Sequence, residues 1–99
     1  MSDLLPVGSV VVADKEEDIE LMIVGYFPVD ISTNTCYQYL AVSFPSGVEA
    51  DTPYNMFNNS DIVKVIFEGY STEQSKKDLA QLAEDTEKEL IDMNVENFG

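Results

Sequence analysis

The chain has no histidine, one cysteine and only five basic residues, all lysine, against 19 acidic ones. Each shortage removes a class of function. Without histidine there is no Cys–His pair and no Ser–His–Asp arrangement for nucleophilic catalysis, and the ligand set for zinc is missing. With one cysteine no intramolecular disulfide can form, which fits a reducing compartment. The stretch "TNTCYQYL" places Cys36 at the start of an expected strand, where a lone cysteine reads as a packing residue. The formal charge of −14 repels phosphate backbones, because nucleic-acid binding is driven by cationic groups that displace counterions. Anionic lipid is disfavoured for the same reason. No apolar run approaches the ~20 residues needed to cross a bilayer. The opening "MSDLLPVGSVVVADKEE" lacks a basic n-region and carries Asp3 where a positive charge belongs, so no signal peptide is expected. These absences lead to the expectation of a cytoplasmic protein with neither a nucleic-acid nor a membrane partner. Its acidic surface suits a basic or mixed-charge protein partner, or serves solubility alone.

What is present is enough for one fold. At 99 residues and 44% apolar content the chain reads as a single domain spanning 1–99, with one modest core. "LLPVGSVVVA" turns β-branched and predicts a strand over 7–13, with Gly8 marking a bulge or a close backbone approach. "DKEED" (14–18) has the composition of a solvated hairpin loop. "IELMIVGYF" (19–27) predicts a second strand ending at Pro28. It is apolar on both faces from Leu21 onward, hence central, and Gly25 suggests a bend or bulge. "PVDISTNT" reads as a loop, and "CYQYLAVSF" (36–44) as a third strand. "PSG" (45–47) is a turn, with a short fourth strand around Val48 and Glu49. "ADTPYNMFNNS" reads as irregular, with Asn58, Asn59 and Ser60 suited to turns or a single helical turn. "DIVKVIFEG" (61–69) predicts the last strand.

From Ser71 the period becomes helical. Ser71 and Gln74 fit a capping box. Leu79, Leu82, Ala83, Thr86, Leu90 and Met93 fall on one face of a 3.6-residue helix over about 72–93, and 94–99 is expected to fray. The stripe can pack on the chain's own sheet, or its distal half can meet a partner. Strand–turn–strand spacings leave no room for crossover helices. The expected fold is therefore α+β: a small curled antiparallel sheet of four to five strands over about 7–69, a partial barrel, with one C-terminal amphipathic helix.

No catalytic residue, cofactor or metal emerges. The acidic run Asp14, Glu16, Glu17 and Asp18 lacks the glycine that a calcium loop of EF-hand type requires at its sixth position. Paired carboxylates need opposed environments to act as acid and base, whereas here they concentrate on a loop and a helix surface. No glycine-rich phosphate cradle is present. The aromatics Tyr26, Phe27, Tyr37, Tyr39, Phe44, Tyr54, Phe57, Phe67 and Tyr70 crowd the sheet region. Core and cross-strand pairing account for most of them, with Phe44 and Phe67 expected inside. Tyr54, Phe57 and Tyr70, with neighbouring Asp61, are the candidates for a protein-binding surface, since tyrosine is enriched at interfaces.

Read in order, "LLPVGSVVV", "LMIVGYFPV", "YQYLAVSFPSG" and "FNNSDIVKVIFEGY" resemble the family catalogued as domain of unknown function 4176, over roughly Leu4 to Tyr70. The specific parts are the "LLPxGSVV" opening and the "FNxxDIxxVxFxGY" close. The family pattern often carries a basic residue after Gly25, where this chain has Tyr26, so a contact relying on a cation there is not implied. The resemblance implies a small cytoplasmic protein of Gram-positive bacteria, encoded beside LXG-domain toxins of type VII secretion. It implies a non-enzymatic accessory role, a chaperone or targeting adaptor that binds the toxin before export, and supplies no catalytic residue. An immunity protein that neutralises a co-encoded toxin, or a self-assembling module using an exposed sheet edge, are the alternatives.

Overall fold

The computed structural model describes residues 4–13, 18–51 and 54–93. Most of the acidic loop, residues 14–17, and the expected frayed tail, 94–99, lie outside the described residues. Among the described residues, seven strands, a 3-10 turn and one helix follow in order: β1 Val10–Val12, β2 Glu20–Tyr26, β3 Val29–Asp30, β4 Thr35–Cys36, β5 Tyr39–Ser43, β6 Asn55–Phe57, the turn Asn59–Asp61, β7 Lys64–Phe67 and α1 Glu73–Met93. Five strands form one antiparallel sheet in the order β6-β5-β2-β1-β7, and β3 pairs with β4 as a separate small hairpin. The α+β class, with a curled antiparallel sheet and a C-terminal helix, is the expected one.

The curl follows from connection length. β6 and β7 lie on opposite edges, about 19 Å apart if the sheet were flat. Residues 58–63 join them, and they contain the 3-10 turn, closed by Asp61 N–H donating to the Asn58 carbonyl at 2.9 Å and Ile62 N–H to that of Asn59 at 3.1 Å. A segment that short, so tightened, spans roughly 20 Å only if drawn straight. The sheet therefore bends its edges toward each other without closing, and β6 and β7 do not pair among the described residues. Inside the curl, Val11, Leu21, Ile23, Tyr39, Ala41 and Phe57 form the core, with Leu4, Leu5, Ala13, Tyr26 and Ile62 packed around them. The Tyr39 ring lies 5.6 Å from Phe57 and 6.1 Å from Tyr26, centroid to centroid, within the range of favourable aromatic pairs.

β2 is central, as its two apolar faces require, and its register with β5 shifts between Ile23 and Gly25. Other boundaries differ from expectation for local reasons. β1 begins only at Val10, because Gly8 takes φ +94 and turns the chain just before it. The expected third strand is broken at Tyr37 and Gln38. There Tyr37 N–H donates to the Pro28 carbonyl at 2.9 Å and Gln38 N–H to Asn58 Oδ1 at 3.0 Å. The expected loop 28–35 holds the β3–β4 hairpin, whose turn is fixed by Asp30 Oδ1 accepting from Ser32 N–H and hydroxyl. Those bonds hold the Asp30 carboxyl below its ordinary pKa. Val48 and Glu49 form no strand; the chain makes only a bridge between Ser43 and Gly47 there, and the strand falls at β6 instead.

The helix cap lies one residue beyond the expected Ser71–Gln74 box. Thr72 Oγ1 accepts from Ser75 N–H at 2.9 Å, and Thr72 N–H donates to Ser75 Oγ at 2.7 Å. Gln74 is drawn away to Asp78, and its side chain donates there at 3.0 Å. The face turned from solvent runs through Ser75, Leu79, Ala83, Thr86 and Leu90, while Leu82 lies outside it and is exposed. No helix among the described residues is long and apolar enough to cross a membrane.

Candidate protein-binding surface

Two internal constructions tie the sheet together. At the first, Gly69 crosses the turn before β1. Gly8 N–H donates to the Ile23 carbonyl at 2.8 Å, and Ile23 N–H returns to the Ser9 carbonyl at 2.9 Å. The fully buried Ser9 hydroxyl donates to the Pro6 carbonyl at 2.7 Å and accepts from Gly69 N–H at 3.0 Å. The approach is so close that a Cβ on Gly69 would clash with the Val7 carbonyl oxygen and lie 3.0 Å from both Gly8 C and Ser9 N. Only glycine fits there.

The second is a polar chain beneath the 3-10 turn. Gln38 N–H donates to Asn58 Oδ1 at 3.0 Å, and Asn59 N–H donates to Gln38 Oε1 at 2.7 Å. Asn58 N–H donates to Asp61 Oδ2 at 2.9 Å. The Tyr39 hydroxyl donates to Asn59 Oδ1 at 2.5 Å and accepts from Leu5 N–H at 2.9 Å, and the Tyr26 hydroxyl donates to the Leu5 carbonyl at 2.5 Å. Burial, reinforced by the neighbouring Tyr39, pushes the Tyr26 phenol up to about 12. Burial also raises Tyr39, against the hydrogen bonds from Leu5 and to Asn59. Both phenols are therefore protonated at neutral pH and act as hydrogen-bonding struts. The Cys36 thiol is fully buried, and desolvation raises its pKa, which keeps it from the thiolate form that reacts. Among the described residues no group of three or more His, Cys, Asp or Glu side chains is placed to hold a metal ion.

The four residues singled out for a surface do not form one patch. Tyr54 is 50% exposed just before β6, and Tyr70 is 85% exposed after β7. Phe57 is only 5% exposed and belongs to the core, because β6 turns it onto Tyr39. Asp61 is exposed, but its carboxylate is engaged by Asn58 N–H. Asp61 and Phe57 border one cleft of about 320 Å³, shared with Ala13, Ile19, Leu21 and Asn55. Tyr70 borders another of about 320 Å³, between the N-terminal segment and the helix, with Pro6, Val7, Tyr26, Leu79 and Leu82 as apolar walls and Asp78 at its border. This second cleft was not legible in the sequence, because it joins residues from positions 6 to 82.

Phe44 and Phe67, expected inside, are 46% and 60% exposed. Phe44 lies just past the end of β5, whereas Phe67 is on β7, an edge strand that contributes nothing to the core cluster.

Comparison with known families matches residues 4–77, about three quarters of the chain, to a family model. The chain belongs to DUF4176, a domain of unknown function. No curated protein and no solved structure matches it significantly. In this DUF4176 chain the residues that carry the resemblance meet in space. Gly8 and Ser9 of the opening stretch contact Gly69 of the closing one, while Asn58 and Asp61 build the turn that returns the chain to β7. Tyr26, at the position after Gly25, is spent on the Leu5 carbonyl.

Proposed function

We propose that this protein is a non-enzymatic accessory factor, a cytoplasmic chaperone or targeting adaptor that binds an LXG-type toxin for type VII secretion. Family membership motivates the reading, and the Tyr70 cleft is the observation that carries it to particular residues. A tyrosine 85% exposed beside Val7, Leu79 and Leu82 presents a rigid amphipathic ring over an apolar floor, the composition of a binding hot spot. Asp78 borders the same cleft, and the overall charge of −14 favours approach of a basic or mixed-charge segment.

The test is co-purification of the tagged protein with its toxin from the native host, followed by affinity measurement on Tyr70→Ala and Leu82→Ser. Both variants should weaken the complex about tenfold or more with unchanged melting. Unaltered affinity in both removes the cleft from the reading. Gene deletion separates the roles: loss of toxin export supports the adaptor, whereas self-poisoning with export intact supports immunity and overturns it.

A further inference from the structure

β7 exposes an apolar ribbon. Val63, Val65, Ile66 and Phe67 are 44–60% exposed. The strand pairs only with β1 among the described strands, so its outer edge carries no strand partner. Proteins blunt such edges with charge, bulges or shortness. Here the strand is four residues long and its register with β1 shifts at Val10/Val11. Its charged residue is Lys64, and Glu68 follows immediately after Phe67. Neither Lys64 nor Glu68 has an ion-pair partner among the described residues.

We infer that β7 pairs with β7 of a second copy, antiparallel, about a two-fold axis at Ile66. The sequence Lys64-Val65-Ile66-Phe67-Glu68 is charge-symmetric about its centre. Antiparallel pairing centred on Ile66 sets Lys64 of each copy opposite Glu68 of the other and Val65 opposite Phe67, while Ile66 faces itself. Directly opposed side chains lie about 5 Å apart, where opposite charges attract and apolar pairs pack. A slip of one residue in either direction sets Glu68 opposite Val65 or Val63, so the charge pattern specifies the register. Self-complementarity is the property an isologous interface requires, and a foreign strand would have no need of it.

The charge of −14 on each copy opposes the approach. At about 0.15 M salt the screening length is about 8 Å, which suppresses repulsion between distant groups and leaves the opposed pairs in force. One strand pair buries less than the roughly 1,200 Å² of a stable interface, so the dimer is weak and exchanges with monomer. It requires no toxin and stands apart from the adaptor reading.

Sedimentation of the purified full chain over a concentration series tests it. The wild type should self-associate. Lys64→Glu sets glutamate against glutamate at both ends, Glu68→Lys sets lysine against lysine, and each should weaken association about tenfold or more. The two variants mixed should associate with each other, and the double variant Lys64→Glu/Glu68→Lys should recover self-association alone. Both positions are exposed, and melting curves verify that the variants fold. A wild type monomeric throughout, single variants that associate like wild type, or a mixture that fails to restore association would each overturn the inference. So would a monomer whose β7 edge is protected from hydrogen exchange only by a toxin strand.

Discussion

Replacing Gly69 with alanine isolates the crossing that ties the end of β7 to the turn before β1. The added Cβ meets the Val7 carbonyl oxygen, Gly8 C and Ser9 N, all backbone atoms that no rotamer change can move. Forcing a methyl group into such a site costs about 1–3 kcal/mol. The displacement also stretches the Gly69 N–H bond to the buried Ser9 hydroxyl, 3.0 Å long, for about another 0.5–1.5 kcal/mol. Alanine reduces the freedom of the unfolded chain, which offsets about 0.4–1 kcal/mol. The net expectation is a loss of about 2–3 kcal/mol, and about 10–20 °C in melting temperature at this chain length. Gly25→Ala is the matched control. Its Cβ would meet only Leu40 Cβ and Cδ2, at 3.9 Å, an ordinary contact, so the variant should be neutral or more stable by up to about 1 kcal/mol. Urea unfolding followed by circular dichroism compares them, with a midpoint drop of about 1–2 M for Gly69→Ala. If the two variants lose equal stability, or Gly69→Ala lies within about 0.5 kcal/mol of wild type, the crossing does not hold the sheet as described.

Four further outcomes follow from named contacts. Asn58→Ala strips the Gln38 N–H of its side-chain acceptor and should cost about 1–3 kcal/mol in urea, whereas Asn58→Asp keeps an acceptor and should cost less. Thr72→Ala should destabilise by about 0.5–2 kcal/mol through loss of the helix cap, with Ser71→Ala near neutral; equal effects would restore the cap to Ser71. Tyr26, at about 12 in the fold, ionises later there than in the unfolded chain. Its contribution is thus intact below pH about 10 and lost as pH rises toward 12, and Tyr26→Phe should flatten that decline in alkaline melting curves. Asp61→Lys should lower the melting temperature by a few degrees by releasing Asn58 N–H, whereas Tyr70→Ala should leave it unchanged; the reverse pattern in calorimetry would exchange their roles.

The elements legible in the sequence are those whose burial is dictated locally. β2 was readable because Leu21 to Tyr26 is apolar on both faces, which only a central strand satisfies, and Gly25 marked its register shift. The helix was readable from its period. β6 was hidden because Asn55-Met56-Phe57 has no β-branched residue, and its pairing with Tyr39–Ala41 is a tertiary fact. Val48 had the composition of a strand but no neighbour to pair with. Phe44 and Phe67 misled because apolarity does not reveal what covers a side chain: Phe44 lies just past the end of β5, and Phe67 on an edge strand outside the core cluster. Of the candidate surface residues, Tyr54 and Tyr70 are exposed and Phe57 is not. The difference is the facing of a three-residue strand, which composition does not encode.

Within the stretches that identify the DUF4176 family, the residues that fix the sheet and the residues open to a partner are different ones. Gly8, Ser9, Asn58, Asp61 and Gly69 are consumed in fixing the sheet. Each is needed for a backbone reason: a positive φ, a crossing without Cβ, or a side-chain oxygen in place of a strand partner. Such residues report which scaffold a chain builds and carry no information about what it binds. Exposed apolar side chains such as Val7, Tyr54, Phe67, Tyr70 and Leu82 are free of those duties. Phe67 and Tyr70 lie within the closing stretch, and Gly69 between them binds that stretch to the buried Ser9 hydroxyl. The arrangement gives two exposed aromatic groups a fixed footing, so a partner seated on Tyr70 or on the β7 edge meets a backbone already ordered, and the entropy of ordering it is not charged to binding.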